Sequence, residues 1–134
     1  MLKFSILIFF TIFYPHFSFA SDIHNDPNDK TLLLQCFEKD QQSDLNLRDC
    51  TLEENARLDK ILNNTYKKIM SSNMSSKEKE TIKSAQRAWI LYIDQSMKAF
   101  ENFAYNGTLW EVTLNHFYQI LLENQCKVLN QIQL

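Results

Sequence analysis

The chain has 134 residues and a formal charge of −2 at pH 7, with 14 Lys and Arg residues against 16 Asp and Glu residues. This slightly acidic balance excludes nucleic-acid binding through a general basic surface, and the length suits one folded domain. The chain contains a single glycine, which favours long helices because glycine marks many turns and strand irregularities.

The first twenty residues have the pattern of a secretory signal peptide. Lys3 precedes an apolar run over 4–14, and the tripeptide at 18–20 places small residues at the cleavage position. That run is about half the ~20 residues that a membrane-spanning helix needs. We expect cleavage after Ala20, leaving a soluble periplasmic or secreted protein. It would not span the membrane, and no cysteine follows Ala20 directly to accept a lipid anchor.

Charge is distributed unevenly along the chain that remains. Without residues 1–20, the chain contains 13 basic and 16 acidic residues, which gives a formal charge of −3. Residues 22–59 hold ten acids and four bases, whereas residues 60–98 hold eight bases and three acids. The chain is therefore acidic first and basic afterwards.

The remaining sequence predicts one helical domain. Residues 21–29, with Pro27 among polar neighbours, are expected to form a flexible N-terminal segment, and residues 30–134 the domain. Helical spacing of apolar residues predicts an all-α fold, a small bundle of three long helices and a short N-terminal helix. The expected helices lie near 30–40, 52–71, 76–104 and 109–131.

Short residue patterns in the sequence predict where helices begin and where turns lie. Capping boxes, in which Ser or Thr is followed three residues later by Glu, predict three helix starts; they are Thr51 with Glu54, Ser75 with Glu78, and Thr108 with Glu111. Turns are expected at 71–74 and at 106–107. Three apolar stripes would form the core; they comprise Leu58, Leu62, Thr65 or Tyr66, and Ile69, then Ile82, Ala85, Trp89, Tyr92 or Ile93, Met97 and Phe100, and finally Trp110, Leu114, Phe117, Leu121 and Val128.

Two blocks of residues give the chain a resemblance to the LprI-type lysozyme inhibitor domain, a small helical module of exported bacterial proteins. The first block resembles the family's Cys followed by Asp-x-x-Leu-Asn-x-x-Tyr, and the second resembles its Gln-x-Ala-Trp-Ile-x-Tyr-Arg-Asp. The matching residues are Cys50, Asp59, Leu62, Asn63 and Tyr66, then Gln86, Ala88, Trp89, Ile90, Tyr92 and Asp94. The resemblance extends over roughly 36–125.

The chain departs from the family pattern at two places. Ile93 stands where the family usually has Arg, so Asp94 would be solvated or would pair with Arg87. A second family disulfide falls on Met97 and near Phe117, and a thioether beside an aromatic ring could fill that space with about 0.3 to 1.5 kcal/mol of stabilisation. The fold is expected to survive the loss.

The resemblance and the oxidising compartment together favour a Cys36–Cys50 disulfide. This bridge resembles the family's N-terminal pair and closes a loop of about 15 residues, for which chain entropy gives roughly 3 kcal/mol of stabilisation. Cys126 is then left over. It is interpreted as a buried free thiol, with an intermolecular bridge as the alternative and a catalytic nucleophile as the least supported reading.

The other motif residues are expected to be mainly structural. Trp89 would be a core anchor rather than a ligand platform, and Gln86 and Asp94 would pin helices together. Asn63 and Tyr66 could mark a pocket or satisfy hydrogen bonds between helices.

No enzyme is expected. His116 has no His or acid four residues away on its helix, and the adjacent Glu53 and Glu54 diverge on theirs. We therefore expect no catalytic residues, no metal and no cofactor.

Function rests on the resemblance, which implies a protein partner, lysozyme, inhibited by direct binding. The alternative is an envelope interaction module for a toxin, an amidase or an assembly protein. Lysozymes are generally basic, and an acidic surface would speed their encounter. The candidate contact residues are the acids that the disulfide would hold on a restrained loop, namely Asp40, Asp44, Asp49 and Glu53; a merely solvated face is the competing interpretation.

Overall fold

The computed structural model describes residues 26–39, 43–102 and 107–132, and these form four helices and no strand. Helix α1 spans Thr31–Lys39, α2 spans Asp44–Ser71, α3 spans Ser76–Glu101 and α4 spans Thr108–Asn130. The predicted all-α fold, with three long helices and a short one before them, is confirmed. The predicted signal peptide lies outside the described residues. No helix in the described part combines the length and apolarity needed to cross a membrane.

Helix α2 begins at Asp44, well before the expected start near 52. The Ser43 side chain caps it by accepting a hydrogen bond from the backbone N–H of Asn46 at 3.2 Å. The capping box predicted at Thr51 is therefore wrong. Thr51 lies inside the helix, where its hydroxyl donates to the carbonyls of Leu47 and Arg48, a local bond that a helical Thr can form without ending the helix.

The other two predicted caps have opposite outcomes. The box at the start of α3 is confirmed, since the Ser75 hydroxyl accepts from the Glu78 N–H while the Glu78 carboxylate accepts from the Ser75 N–H. Donation by the Ser75 hydroxyl and N–H holds the pKa of Glu78 below its usual value. The box at Thr108 is wrong, because Gly107 is the N-cap of α4 and supplies no side-chain cap.

The core lies between α2 and α4, the two helices that pack together most extensively. The α2 stripe is confirmed, with Leu58, Leu62 and Ile69 buried. The α4 stripe is confirmed at Leu121, which is buried, and is wrong at Val128, which is 56% exposed. The other buried apolar residues of α4 lie beside the predicted stripe; they are Leu122, Cys126 and Leu129.

Helix α3 lies at the edge of this core and contains no buried residue. Ile82 and Trp89 pack against the core without entering it. The prediction of a second core stripe is therefore wrong at Ala85 and Phe100, which are exposed. Of the two alternatives Tyr92 and Ile93, the first is 57% exposed and the second is half-buried. An apolar stripe at helical spacing gives the direction of a face, but it does not give the depth to which that face is covered.

One aromatic contact joins α3 to α4 near the expected site of the missing second disulfide. The rings of Phe100 and Phe117 are stacked, with centroids 3.9 Å apart. Phe117 was expected to pack near Met97, and Phe100 follows Met97 on the same helix. Stacked aromatic rings contribute about 0.5 to 1.5 kcal/mol beyond their burial. An apolar contact therefore joins the two helices in the region where the resemblance implied a second disulfide.

Candidate partner-binding site

The predicted Cys36–Cys50 disulfide is present and joins α1 to α2, with the two Cα atoms 5.7 Å apart. None of the nine residues of α1 is buried. The disulfide therefore contributes strongly to the attachment of α1 to α2, since a short helix with no buried side chain is stabilised little by packing.

Between α1 and α2 lies an open groove of about 490 Å³. The disulfide forms part of its wall, and acidic and basic side chains share its lining. Two of the predicted contact residues, Asp49 and Glu53, line the groove, are exposed and lie one turn apart on α2. The groove is thus the part of the described structure in which two of the predicted acidic contact residues lie together at the surface.

The remaining two predicted contact residues have different positions. Asp40 lies outside the described residues, and Asp44 is the first residue of α2. The acids were expected on a restrained loop, whereas Asp44, Asp49 and Glu53 are helical. The cause is the early start of α2 directly after Ser43, which makes residues 44–50 of the disulfide-closed segment helical.

A neighbouring cation offsets part of the acidic charge. Arg48 donates to Asp49 through its Nε and terminal nitrogen at 3.1 and 3.0 Å, and it also reaches Glu111 at 3.5 Å. The hydrogen bond and charge of Asp49, followed by those of Glu111, raise the pKa of Arg48. These side chains are exposed, so water and salt weaken the pair. No such ion pair is seen for Glu53 among the described residues.

Two of the residues that line the groove, Glu54 and Arg57, form a buried ion pair. Arg57 donates to the two oxygens of the Glu54 carboxylate through Nε and one terminal nitrogen, each at 2.8 Å, and the Glu54 side chain is only 1% exposed. Hydrogen bonding from Arg57 to Glu54, against the cost of burial, raises the pKa of Arg57. Arg57 also donates to the carbonyls of Asp26 and Asp29, which ties the segment before α1 to α2.

The same cluster reaches α4 through Lys30. Its ammonium bonds to the Glu123 carboxylate and lies 3.8 Å from that of Glu54. Burial alone would raise the pKa of Glu123, but hydrogen bonds from Lys30 and Gln119 outweigh burial and hold that pKa below its usual value. Five charged and polar side chains thus connect the N-terminal segment, α2 and α4.

The residues of the first family block fall on α2 and differ widely in burial. Leu62 is in the core, Tyr66 is half-buried and packs against it, and Asn63 and Asp59 are exposed. The Asn63 amide nitrogen donates to the Asp59 carbonyl at 2.9 Å, within the same helix.

The residues of the second family block fall on α3 and are mostly at the surface. Gln86 accepts a 2.8 Å hydrogen bond from Gln125 of α4, so it pins two helices as expected. Asp94 does not pin helices, since it is exposed and pairs with Lys98 at 2.7 Å one turn along α3. Ala88 is exposed, as is Tyr92.

Cys126 is a free thiol buried between α4 and α2, as predicted. Its sulfur lies 3.6 Å from the Leu58 carbonyl. Burial, partly opposed by Arg57, raises the pKa of the thiol to about 11. A thiol that stays protonated near neutral pH is a poor nucleophile. Within the described residues, no group of three or more His, Cys, Asp or Glu side chains could hold a metal ion.

The sequence analysis missed the buried charged cluster. Glu54 was assigned to a helix cap, although its spacing of three residues from Arg57 is also that of a helical ion pair. No sequence signal connects Lys30 with Glu123, because 93 residues separate them.

A family model described as lysozyme inhibitor LprI matches residues 36–129, well over half of the chain. The chain belongs to the LprI lysozyme inhibitor family. The matched region begins at the first disulfide cysteine and ends at the last buried residue of α4, so it includes the α2 wall of the α1–α2 groove and the disulfide beside it. No curated protein and no solved structure matches the chain. The family is one of inhibitors, and this agrees with the expectation of a non-enzymatic role.

Proposed function

We propose that this LprI-family protein binds lysozyme directly and inhibits it, and that Asp49 and Glu53 form part of the contact surface. The family match is the observation that carries the inhibitory role. The position of the contact rests on the groove, where these two acids lie side by side at the surface. The protein would act by occupying its partner and would perform no chemistry.

Charge and rigidity both support this surface. Lysozymes are generally basic, and opposite charge on two partners speeds their encounter and fixes their orientation. Asp49 and Glu53 belong to a 28-residue helix, so their spacing is preorganised. The disulfide holds the facing wall in place. A surface that is already ordered loses less conformational entropy on binding.

The test compares two doubly neutralised variants that lose the same charge from different helices. One is Asp49→Asn with Glu53→Gln, and its control is Glu80→Gln with Asp94→Asn on α3. The control acids are exposed and each pairs with a lysine, which matches the Asp49–Arg48 pair. Association rates with lysozyme would be measured by biolayer interferometry at several salt concentrations.

We expect the groove variant to associate several-fold more slowly at low salt and to show a flatter salt dependence. The control should behave like the unsubstituted protein. Equal association rates for both variants and the parent would show that Asp49 and Glu53 do not belong to the lysozyme contact. An absence of lysozyme binding by the parent would instead favour an envelope interaction module with another protein partner.

We further propose that the protein is exported and loses residues 1–20. The charged start, the apolar run and the small residues before Ser21 support this, as does a family of inhibitors whose partner acts outside the cytoplasm. Expression of the full sequence in a bacterial host should give a periplasmic product that begins at Ser21. An intact N-terminus, read by mass spectrometry of that product, would contradict export with cleavage.

A further inference from the structure

A second, smaller groove of about 210 Å³ lies between α2 and α3, away from the acidic surface. Its lining brings together two cations, two side-chain amides, one aromatic ring and one aliphatic side chain. They are Lys83, Arg87, Asn63, Gln86, Tyr66 and Ile90. None of these six residues is acidic, so the described lining has one sign of charge.

The two cations belong to the same face of α3, one helical turn apart. Lys83 is 3.7 Å from Glu80, and both side chains are largely exposed, at 45% and 66%. Such a loose surface pair contributes little free energy. An incoming anion can therefore compete with Glu80 for the Lys83 ammonium, while Arg87 offers a planar fork of N–H donors.

The amides give the groove a fixed polar wall. Gln86 accepts from Gln125 through its side-chain oxygen at 2.8 Å, which leaves the amide N–H groups as its remaining donors. That bond crosses from α3 to α4 and so sets the orientation of the Gln86 side chain. Tyr66 packs against the core, and Ile90 is 56% exposed, so apolar surface lies beside the donors.

We propose that this α2–α3 groove binds a small anionic ligand, with a carboxylate or phosphate group on Lys83 and Arg87 and a short aliphatic part against Ile90. Arginine forks and lysine ammonium groups are the side chains that proteins use for such anions. The volume is below the roughly 300 Å³ at which pockets for larger ligands begin, which limits the ligand to one anionic group on a short body. This site is separate from the surface proposed for lysozyme.

The test maps ligand binding on the parent protein by NMR. The full sequence, expressed with ¹⁵N label in an exporting host, is titrated with inorganic phosphate, with butyrate and with neutral butanol. Saturable shifts of the amide signals of 63, 66, 83, 86 and 87 are expected with at least one anion, and little response with butanol. The anion that responds identifies the group. Saturation by neither anion, or shifts that map elsewhere, would overturn the proposal.

A matched pair of variants separates this groove from general charge. Lys83→Gln with Arg87→Gln should weaken anion binding by about a hundredfold or more, since the loss of each charge-assisted hydrogen bond costs about tenfold or more in affinity. Lys77→Gln with Lys98→Gln removes the same charge from exposed positions of the same helix outside the groove and should leave affinity nearly unchanged. Equal weakening by both pairs, or by neither, would contradict a site at this groove.

Discussion

Cys36 of α1 and Cys50 of α2 are joined by a disulfide that anchors a helix without a single buried residue. The segment before α1 has further polar attachments, among them the hydrogen bonds from Arg57 to the carbonyls of Asp26 and Asp29 and the contact of Lys30 with Glu123. The N-terminal wall of the α1–α2 groove is thus held mainly by one covalent bond and by polar contacts, whereas α2 and α4 are held by a packed core.

Removing the disulfide should destabilise the protein. Replacing both Cys36 and Cys50 by Ala should lower the free energy of unfolding by about 3 kcal/mol, because the unfolded chain is no longer constrained by a loop of this length. Urea denaturation monitored by circular dichroism measures the loss. The unsubstituted protein treated with reductant is the control and should unfold like the variant. Unchanged midpoints in both would show that the disulfide contributes nothing to stability.

Neutralising the buried carboxylate of Glu54 should also be costly. Glu54→Gln leaves Arg57 facing a neutral amide in a nearly water-free position, and breaking a buried pair in this way costs about 3 to 5 kcal/mol. Glu80→Gln, at an exposed pair on α3, should change stability by no more than about 0.5 kcal/mol. Both values come from the same denaturation experiment. Similar small effects for the two variants would mean that the Arg57–Glu54 pair is solvated.

Acid should weaken the contact between Lys30 and Glu123. The folded pKa of Glu123 lies below its ordinary value of 4.5, so its carboxylate adds stability above that pH. The contribution is lost as pH falls through the folded pKa. The stability difference between the parent and Glu123→Gln should therefore shrink below about pH 4.5. Thermal unfolding across that range tests it, and a difference independent of pH would contradict the assignment.

Cys126 should resist alkylation while the protein is folded. Its thiol is buried and has a pKa of about 11, so little thiolate is present or accessible at pH 8. Iodoacetamide should modify it slowly in the native protein and rapidly in urea, as followed by mass spectrometry. Rapid native labelling would indicate that α4 opens or that the thiol lies at the surface.

The fold could be read from the sequence to a large extent because its signals are local. Helical spacing placed Leu58, Leu62 and Ile69 on one face, and all three are buried. The Ser75 cap depends on residues three apart and was also correct. The extent to which each side chain is buried could not be predicted. Trp89 and Tyr92 belong to an apolar stripe of α3, and their burial depends on how α3 packs against the other helices.

The candidate site was less readable, because it depends on distant contacts. The sequence shows that Asp49 and Glu53 belong to an acidic stretch. It does not show the groove beside them, because the groove forms only when α1 packs against α2. The ion pair of Lys30 with Glu123 joins two residues that are 93 positions apart in the sequence. Electrostatic contacts of this kind carry no periodicity, so pattern analysis does not detect them.

The central claim is that the protein inhibits lysozyme by direct binding, and a titrated inhibition assay tests it most directly. Protein exported from the full sequence would be added in increasing amounts to lysozyme acting on bacterial cell walls, with a known lysozyme inhibitor as the positive control. Inhibition should be saturable and stoichiometric, and it should weaken in the Asp49→Asn, Glu53→Gln variant but not in the Glu80→Gln, Asp94→Asn variant. Full lysozyme activity at a large excess of the parent protein, with the positive control inhibiting normally, would contradict the claim.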